Sequence, residues 1–169
     1  MKYSDYFMQE LHNNGYSTCF YVGGGNSMHL LESASRLFNC VPVVHEVSAA
    51  IAAEYFNHSA NGDKKAFALV TAGPGLTNLV TGIAVAWLDS RELLVVGGQA
   101  KSTTLSKGTV RQVGHQEVDG VGIVREITKV AFTITSPLSS EDIRDLVSKS
   151  WLGRPGPVFI EVCLDVSAM

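Results

Sequence analysis

The chain has 169 residues, with 13 Lys and Arg against 16 Asp and Glu, and a formal net charge of −3. Its composition, 46% hydrophobic and 17% charged, is that of a folded globular protein, and its length predicts a single domain over residues 1–169. The mild acidity argues against a nucleic acid or a membrane surface as partner, because both select basic patches.

The cysteines and the N-terminus bear on the compartment. Cys19, Cys40 and Cys163 are widely spaced and form no Cys-x-x-Cys pair, which argues against a zinc ribbon or a dithiol redox motif. The first ten residues do not follow the basic-then-apolar pattern of a signal peptide. No apolar run approaches the roughly 18 residues that span a bilayer. These features predict a cytoplasmic protein with reduced thiols and no membrane partner.

Short apolar runs alternate with helix-length stretches along the chain. Helices are predicted at Tyr3–Asn14, Ser27–Phe38, Glu46–His58, Leu76–Asp89 and Glu141–Leu152. Strands are predicted at Cys19–Val22, Val41–Val44, Ala66–Val70, Leu93–Gly97 and Val158–Cys163, with a weaker one in Ile127–Ile134. The strands are continuously apolar, as is typical of strands covered on both faces. We expect an α/β fold of three α/β/α layers, with a mostly parallel sheet of about six strands and helices on both faces.

Ligands of such sheets bind beyond the carboxyl ends of the strands. The first segment at that edge, Gly23-Gly24-Gly25-Asn26, follows a strand and opens a helix, where backbone N–H groups can bind an anion. The GxGxxG fingerprint fails because Met28 stands at its third glycine, and no GxxxxGK[ST] loop occurs. The residues alone leave open a binding loop or a tight turn.

The next segment contains His45-Glu46, between a strand and a helix. It is not a zinc-protease pair, because Ala49 replaces the second histidine of HExxH. A carboxylate in the first turn of a helix is an ordinary partner of the helix dipole. A carboxyl that follows the apolar run Val41–Val44 is also suited to exchange a proton near neutrality. Both interpretations of Glu46 remain open at this point.

Two further segments are candidates. The turn Thr71–Asn78 is rich in small residues, which favours either the approach of a flat ring or close packing of helix on strand. A long loop is predicted over Lys101–Gly122, and its run His115–Asp119 fits a metal site, a proton relay or a solvated loop.

Taken in order, the motifs resemble the N-terminal pyrimidine-binding domain of thiamine-diphosphate-dependent enzymes, in the group of acetolactate synthases and 2-oxo-acid decarboxylases. The resemblance extends from about Tyr3 to Val166. It is carried by His45–Ala50, Ala52–Tyr55, Thr71–Asn78, Thr81–Ala84, Asp89-Ser90, Gly98-Gln99, Gln116–Asp119 and Gly153–Val158.

The resemblance implies roles for particular residues. Glu46 matches the glutamate that hydrogen-bonds N1′ of the aminopyrimidine and promotes formation of the cofactor's ylid, which attacks a 2-oxo acid. The other cofactor-binding positions implied are Gly24, Gly25, Thr71, Gly73, Pro74, Gly75 and Asn78. Gln116 matches a glutamine near the substrate in acetolactate synthases. His115 stands where those synthases usually have Phe, and it is a candidate acid or base in a decarboxylase-like site.

The resemblance also implies partners. In the family a separate domain with a Gly-Asp-Gly motif binds the diphosphate and Mg²⁺; the nearest segment here, Asn61-Gly62-Asp63-Lys64, lacks the second glycine. No metal ligand is therefore assigned to this chain, and we expect a homodimer or larger oligomer completed by that domain, in the same full-length chain or as another subunit. The isolated chain is expected to be inactive.

Three alternatives remain at this level. The first is the alpha-type subunit of a split 2-oxo-acid decarboxylase. The second is a non-catalytic regulatory or assembly module that keeps the fold, and the third is a flavodoxin-like nucleotide-binding module. The absent phosphate fingerprints argue against the last of these.

Overall fold

The computed structural model describes residues 1–60, 64–106 and 108–169. The segment Asn61-Gly62-Asp63, noted above for its partial likeness to Gly-Asp-Gly, lies outside the described residues. The helices are α1 (Tyr3–Asn13), α2 (Met28–Ala34), α3 (Glu46–Ser59), α4 (Pro74–Leu88), α5 (Gly120–Val124), α6 (Ser140–Ser148) and α7 (Leu164–Ala168). The strands are β1 (Tyr16–Tyr21), β2 (Asn39–Pro42), β3 (Lys65–Val70), β4 (Leu93–Gln99), β5 (Val130–Ile134) and β6 (Pro157–Cys163).

The strands form one six-stranded sheet in the order β2-β1-β3-β4-β6-β5. Every strand pairing in the described part of the chain is parallel. Helices cover both faces, so the predicted three-layer α/β/α fold is confirmed. The strand predicted weakly within Ile127–Ile134 is present as β5, at the sheet edge opposite β2.

The two faces of the sheet are packed with side chains of different size. On one face α1, α2, α6 and α7 bury large residues, including Phe7, Leu11 and Leu30, against Phe67 of β3. On the other face α3 and α4 pack mainly through alanines and a few branched residues, with α5 beside them. Small side chains let α3 and α4 approach closely, which brings residues at their N-termini within hydrogen-bonding distance.

Local sequence signals explain several helix starts. Ser139 caps α6, its hydroxyl accepting a hydrogen bond from the Asp142 backbone N–H at 3.2 Å, while the Asp142 carboxylate accepts from Ser139, which completes a capping box. Pro74 occupies the first position of α4, two residues before the predicted start, where its missing N–H costs nothing. None of the helices in the described residues is long and apolar enough to cross a membrane.

Several predicted boundaries were wrong, among them the start of β1, which is Tyr16 rather than Cys19, and the end of α6, which is Ser148 rather than Leu152. The second strand ends at Pro42 rather than continuing to Val44, whose side chain is fully exposed, so its apolar character does not mark a buried strand. The second helix is only Met28–Ala34, because Gly25–Ser27 form a separate 3₁₀ turn before it and the chain turns again before β2. The long loop is also interrupted, by a 3₁₀ turn at Ser102–Thr104 and by the start of α5 at Gly120.

The sheet order defines where a ligand site belongs. From β1 the chain moves outward to β2 on one side, whereas β3 lies on the other side of β1 and leads to β4. Such a reversal leaves a crevice at the carboxyl ends of the two strands, and ligands of open α/β sheets bind there. The loops after β1 and β3 therefore face each other across this crevice.

Candidate functional site

The loop after β1 and the loop after β3 touch at the crevice. A Cβ atom built on Gly24 would lie 2.4 Å from Cβ of Thr71, so only glycine allows this approach. The backbone N–H of Asn26 donates a hydrogen bond to the Thr71 hydroxyl at 3.2 Å. Two segments that the sequence singled out separately thus form one structure.

The same loop also crosses β4. A Cβ atom on Gly98 would lie 2.3 Å from the carbonyl oxygen of Asn26, which is a backbone atom and can move only with its loop. Gly98 thereby fixes how deeply the Gly24–Asn26 turn settles over the sheet. The Gly98-Gln99 motif has a structural role at this edge that its sequence position alone does not reveal.

Glu46 is the first residue of α3 and is 8% exposed. The preceding residue, His45, caps the helix by accepting a hydrogen bond from the Val47 N–H, and the N-terminus of α3 favours a negative charge at Glu46. The side-chain amide of Asn78, on α4, donates to Oε2 of Glu46 at 2.9 Å. The other carboxylate oxygen, Oε1, has no hydrogen-bond donor among the described residues, so it is available to a ligand.

The turn that starts α4 leaves open space beside this oxygen. A Cβ atom on Gly75 would stand 3.7 Å from Oε1 of Glu46 and 2.9 Å from Cγ2 of Thr71. Gly75 therefore keeps side-chain atoms out of the gap between Glu46 and Thr71. Pro74 and Asn78 on the same turn are exposed, so the gap opens to the surface.

The loop that contains His115 and Gln116 packs against this turn. Gly73 has φ +63°, and a Cβ atom there would meet the carbonyl oxygen of Gln116 at 2.8 Å, so both conformation and space require glycine. Gln116 itself has φ +55°, a left-handed conformation that is uncommon for a residue with a side chain. The side-chain amide of Asn26 donates to the carbonyl oxygen of His115 at 3.1 Å, which ties this loop to the crevice.

Glu117 holds the loop in shape. Its carboxylate accepts hydrogen bonds from the backbone N–H groups of Ser106, Val113 and Gly114 at 2.6–2.9 Å. Burial acts to raise the pKa of Glu117, but these donors outweigh it and lower the pKa to about 2. The neighbours of Gln116 are thereby fixed by a permanently ionised side chain at neutral pH.

The structure brings most of the predicted residues together. The turn at Gly24, the Thr71–Gly75 segment, Glu46 and Asn78 surround the crevice, and Gln116 packs onto Gly73. Gly25, between Gly24 and Asn26, borders open space, with no atom within 4 Å of an ideal Cβ. His115 is the outlier, because its side chain is exposed and only its carbonyl group is bonded to the site.

Sequence reasoning missed another buried glutamate, Glu161 on β6. Its Oε1 accepts from the Thr133 hydroxyl at 2.7 Å, and its Oε2 accepts from the Gln99 side chain at 3.0 Å. These residues border a cavity of about 530 Å³ whose described lining includes Glu117 and Asp119 of the candidate run His115–Asp119 but none of the residues predicted to bind the cofactor. A charged residue within the apolar run Val158–Cys163 was the signal that could have revealed Glu161.

The described residues form no cluster of metal-ligating side chains. Within 1–60, 64–106 and 108–169, no three His, Cys, Asp or Glu side chains are grouped as a metal site. The polar run His115–Asp119 is instead organised around Glu117 and its backbone donors.

Comparison with known proteins places the chain in a family. The sequence model of the family described as "Thiamine pyrophosphate enzyme, N-terminal TPP binding domain" matches residues 1–123. "Acetolactate synthase, chloroplastic" of Arabidopsis thaliana is 33% identical over 98% of the chain and 24% of its own length. "Acetolactate synthase large subunit" of Lactococcus lactis is 35% identical over 98% of the chain and 28% of its own length. The chain thus spans about a quarter of the length of these relatives.

Proposed function

From the fact that the chain belongs to the family of thiamine pyrophosphate enzyme N-terminal TPP binding domains, we propose that it holds the aminopyrimidine ring of thiamine diphosphate against Glu46. We further propose that the full protein decarboxylates or joins 2-oxo acids, as the named activity of its acetolactate synthase relatives suggests. Thiamine diphosphate, when bound, supplies a nucleophilic carbon and an electron sink for cleaving the bond next to a carbonyl group.

The open oxygen of Glu46 is the observation that carries the proposal. Asn78 occupies Oε2 and leaves Oε1 without a donor in the described part of the chain. Oε1 is not among the fully buried unpaired side-chain atoms of the described residues, so a ligand can reach it through the crevice. A ring N–H donor satisfies Oε1, and Glu46 can then hold or move the proton at that nitrogen.

The shape of the crevice supports a flat ligand. Gly75 leaves the space between Oε1 and Thr71 free of side-chain atoms, and Gly24 lets the opposite loop approach Thr71. We propose that the ring lies along the Gly73-Pro74-Gly75 turn, with Asn78 keeping the Glu46 carboxylate in its orientation. The residues present therefore fit the pyrimidine end of the cofactor.

We assign the substrate end of the site to the loop on the far side of Gly73. Gln116 is half-buried there and can donate a hydrogen bond to the carboxylate or carbonyl group of a 2-oxo acid. His115 is exposed next to it and can act as an acid or base. The hydrogen bond from the Asn26 side chain to the His115 carbonyl oxygen fixes the backbone of His115 beside the crevice.

The diphosphate and Mg²⁺ are assigned to another part of the full protein. Apolar side chains near Glu46 are exposed, with Val44 fully exposed and Ile51 and Tyr55 on α3 at 40% and 61%. We propose that the diphosphate-binding domain, of the same chain or another subunit, covers this surface in a homodimer or larger assembly. A cytoplasmic location stays a prediction, and relatives from two plants are named as chloroplastic.

The proposal is tested on the full-length protein with thiamine diphosphate and Mg²⁺, by measuring CO₂ release from pyruvate and other 2-oxo acids. Glu46→Gln keeps the shape and the Asn78 contact but loses the exchangeable proton. It is expected to lower kcat by about 10²–10⁴-fold, the usual worth of a general acid–base group. Circular dichroism and the Tm should stay close to the parent values.

A matched control is Glu126→Gln, a side chain that is 85% exposed and remote from the crevice. It should keep full activity. Undiminished turnover by Glu46→Gln would refute the role of Glu46. Binding of the diphosphate-binding domain without CO₂ release from any 2-oxo acid would favour the non-catalytic assembly module instead.

A further inference from the structure

Cys19 and Cys40 lie directly opposite each other on neighbouring strands. The register of β1 and β2 pairs their Cα atoms, and both side chains belong to the packing cluster on the α1–α2 face of the sheet. They therefore point to the same side. Neighbouring strands lie about 4.8 Å apart, which is within the roughly 4.4–6.8 Å between Cα atoms that a disulfide spans.

The two thiols differ in access. Cys19 is fully buried, whereas Cys40 is half-buried on β2, at the edge of the sheet. Reagents from solvent reach Cys40 first. Cys19 is then the group positioned to react with whatever forms on Cys40, because its side chain is the direct neighbour across the strand pair.

The pKa values of the two thiols differ in the same sense as their access to solvent. Contact with the Cys19 thiol lowers the pKa of Cys40, whereas burial raises the pKa of Cys19. At the third cysteine, Cys163, burial raises the pKa to about 12. Since the thiolate is the reacting form of cysteine, Cys40 is the most reactive thiol of the three.

We propose that Cys19 and Cys40 are a redox site at which a hydroperoxide forms a reversible disulfide between β1 and β2. The thiolate of Cys40 attacks a peroxide oxygen, the O–O bond breaks, and a sulfenic acid forms as water or an alcohol leaves. The Cys19 sulfur then attacks the Cys40 sulfur, its proton leaves with the hydroxyl group as water, and the S–S bond forms. The hydroperoxide gains two electrons and the two thiols lose them.

The site is independent of the proposed cofactor chemistry but adjoins it in the chain. Cys40 lies in β2, which ends at Pro42, and α3 begins at Glu46 a few residues later. In the described sheet β2 is paired only with β1. A covalent bond between these strands therefore secures the edge strand that leads to Glu46.

The test treats the reduced full-length protein with hydrogen peroxide and maps cysteines by peptide mass spectrometry. The expected product is one intramolecular Cys19–Cys40 link, with loss of two hydrogens and full reversal by dithiothreitol. Cys163→Ser, which changes the remaining buried thiol, should form the same link. Cys40→Ser should remain without a link under the same treatment.

A second variant protects the test against misfolding of any one protein. In Cys19→Ala the sulfenic acid on Cys40 has no resolving thiol, so a cyclic 1,3-diketone should capture it there. The proposal is overturned if peroxide leaves Cys40 reduced, converts Cys40 to sulfinic acid while Cys19 stays free, or links two copies of the chain through Cys40.

Discussion

Two glutamates are buried near the carboxyl edge of the same sheet, and they differ in how many of their carboxylate oxygens accept hydrogen bonds. Glu161, in the β4–β6–β5 half, is 4% exposed, and each of its carboxylate oxygens accepts a hydrogen bond from a side chain. Glu46, in the β1–β3 half, is 8% exposed and has one oxygen bonded by Asn78 and one left open. Burial is nearly equal, so the unfilled acceptor, and not burial, sets apart Glu46, the proposed binding group.

A glycine lies beside each carboxylate, and the two glycines differ in the space they leave for a side chain. A Cβ atom on Gly120 would meet Oε2 of Glu161 at 2.4 Å, whereas one on Gly75 would stand 3.7 Å from Oε1 of Glu46. Gly120 leaves no room for a side chain beside Glu161, whereas Gly75 leaves an ordinary contact distance beside Glu46. Variants that act on one glutamate at a time test this difference.

The largest loss of stability is expected from Gly120→Ala. The new methyl group would collide with Glu161 and with Leu76 Cδ2 at 2.6 Å, and Glu161 cannot withdraw without losing hydrogen bonds. Overpacking of this kind costs about 1–3 kcal/mol. Urea denaturation of the folded protein measures the loss. Gly25→Ala is the control, because an ideal Cβ there has no atom within 4 Å; equal losses in both variants would contradict the packing argument.

A smaller effect, dependent on pH, is expected from Glu161→Gln. Burial raises the pKa of Glu161 above its ordinary value of 4.5, despite the opposing hydrogen bonds from Thr133 and Gln99. A raised pKa means that the folded state binds the proton more tightly. The bound proton on Glu161 therefore contributes fully to the free energy of unfolding below pH 4.5, and this contribution is lost as the pH rises through the raised pKa.

Glu161→Gln has no carboxyl group to titrate at this position. As the pH rises above 4.5, its free energy of unfolding should therefore decline less than that of the parent. Urea denaturation at several pH values above 4.5 checks the slope. Parallel curves for parent and variant would show that Glu161 does not titrate differently in the folded state. Turnover should be retained, because Glu161 lies outside the crevice.

The smallest change in stability is expected from Gly75→Ala. The helix gains from alanine by up to about 1 kcal/mol, which offsets the contact with Thr71 Cγ2 at 2.9 Å. The methyl group nevertheless occupies the space beside Glu46 Oε1. Thiamine diphosphate should bind the full-length protein roughly tenfold more weakly, equivalent to about 1.4 kcal/mol. Calorimetric titration measures this, and unchanged affinity would place the ring elsewhere.

Much of the fold could be predicted from sequence because it depends on local patterns. The continuous apolar runs of β3, β4 and β6 and the capping residues Ser139 and Asp142 mark elements whatever their neighbours are. The prediction was wrong at Val44, where an apolar residue continues a run but is fully exposed. Hydrophobicity alone does not distinguish a buried strand from a surface that another part of the protein can cover.

The candidate site was predicted only in part, because its contacts depend on tertiary packing. Glu46, Thr71 and Asn78 were singled out by type and place, but the bond from Asn78 to Glu46 depends on how closely α3 and α4 pack. Glu161 was missed because its partners, Thr133 and Gln99, come from β5 and β4, far away along the chain.

The sequence by itself determined the α/β class, the alternation of elements and the small or polar residues after each strand. These are written in runs of neighbouring residues, where periodicity and turn chemistry act directly. The tertiary structure alone decided that β3 lies beside β1, that Thr71 meets Gly24 and Asn26, and that Cys19 faces Cys40. Strand order and register follow from the packing of whole faces, so each such contact joins residues whose proximity no local pattern specifies.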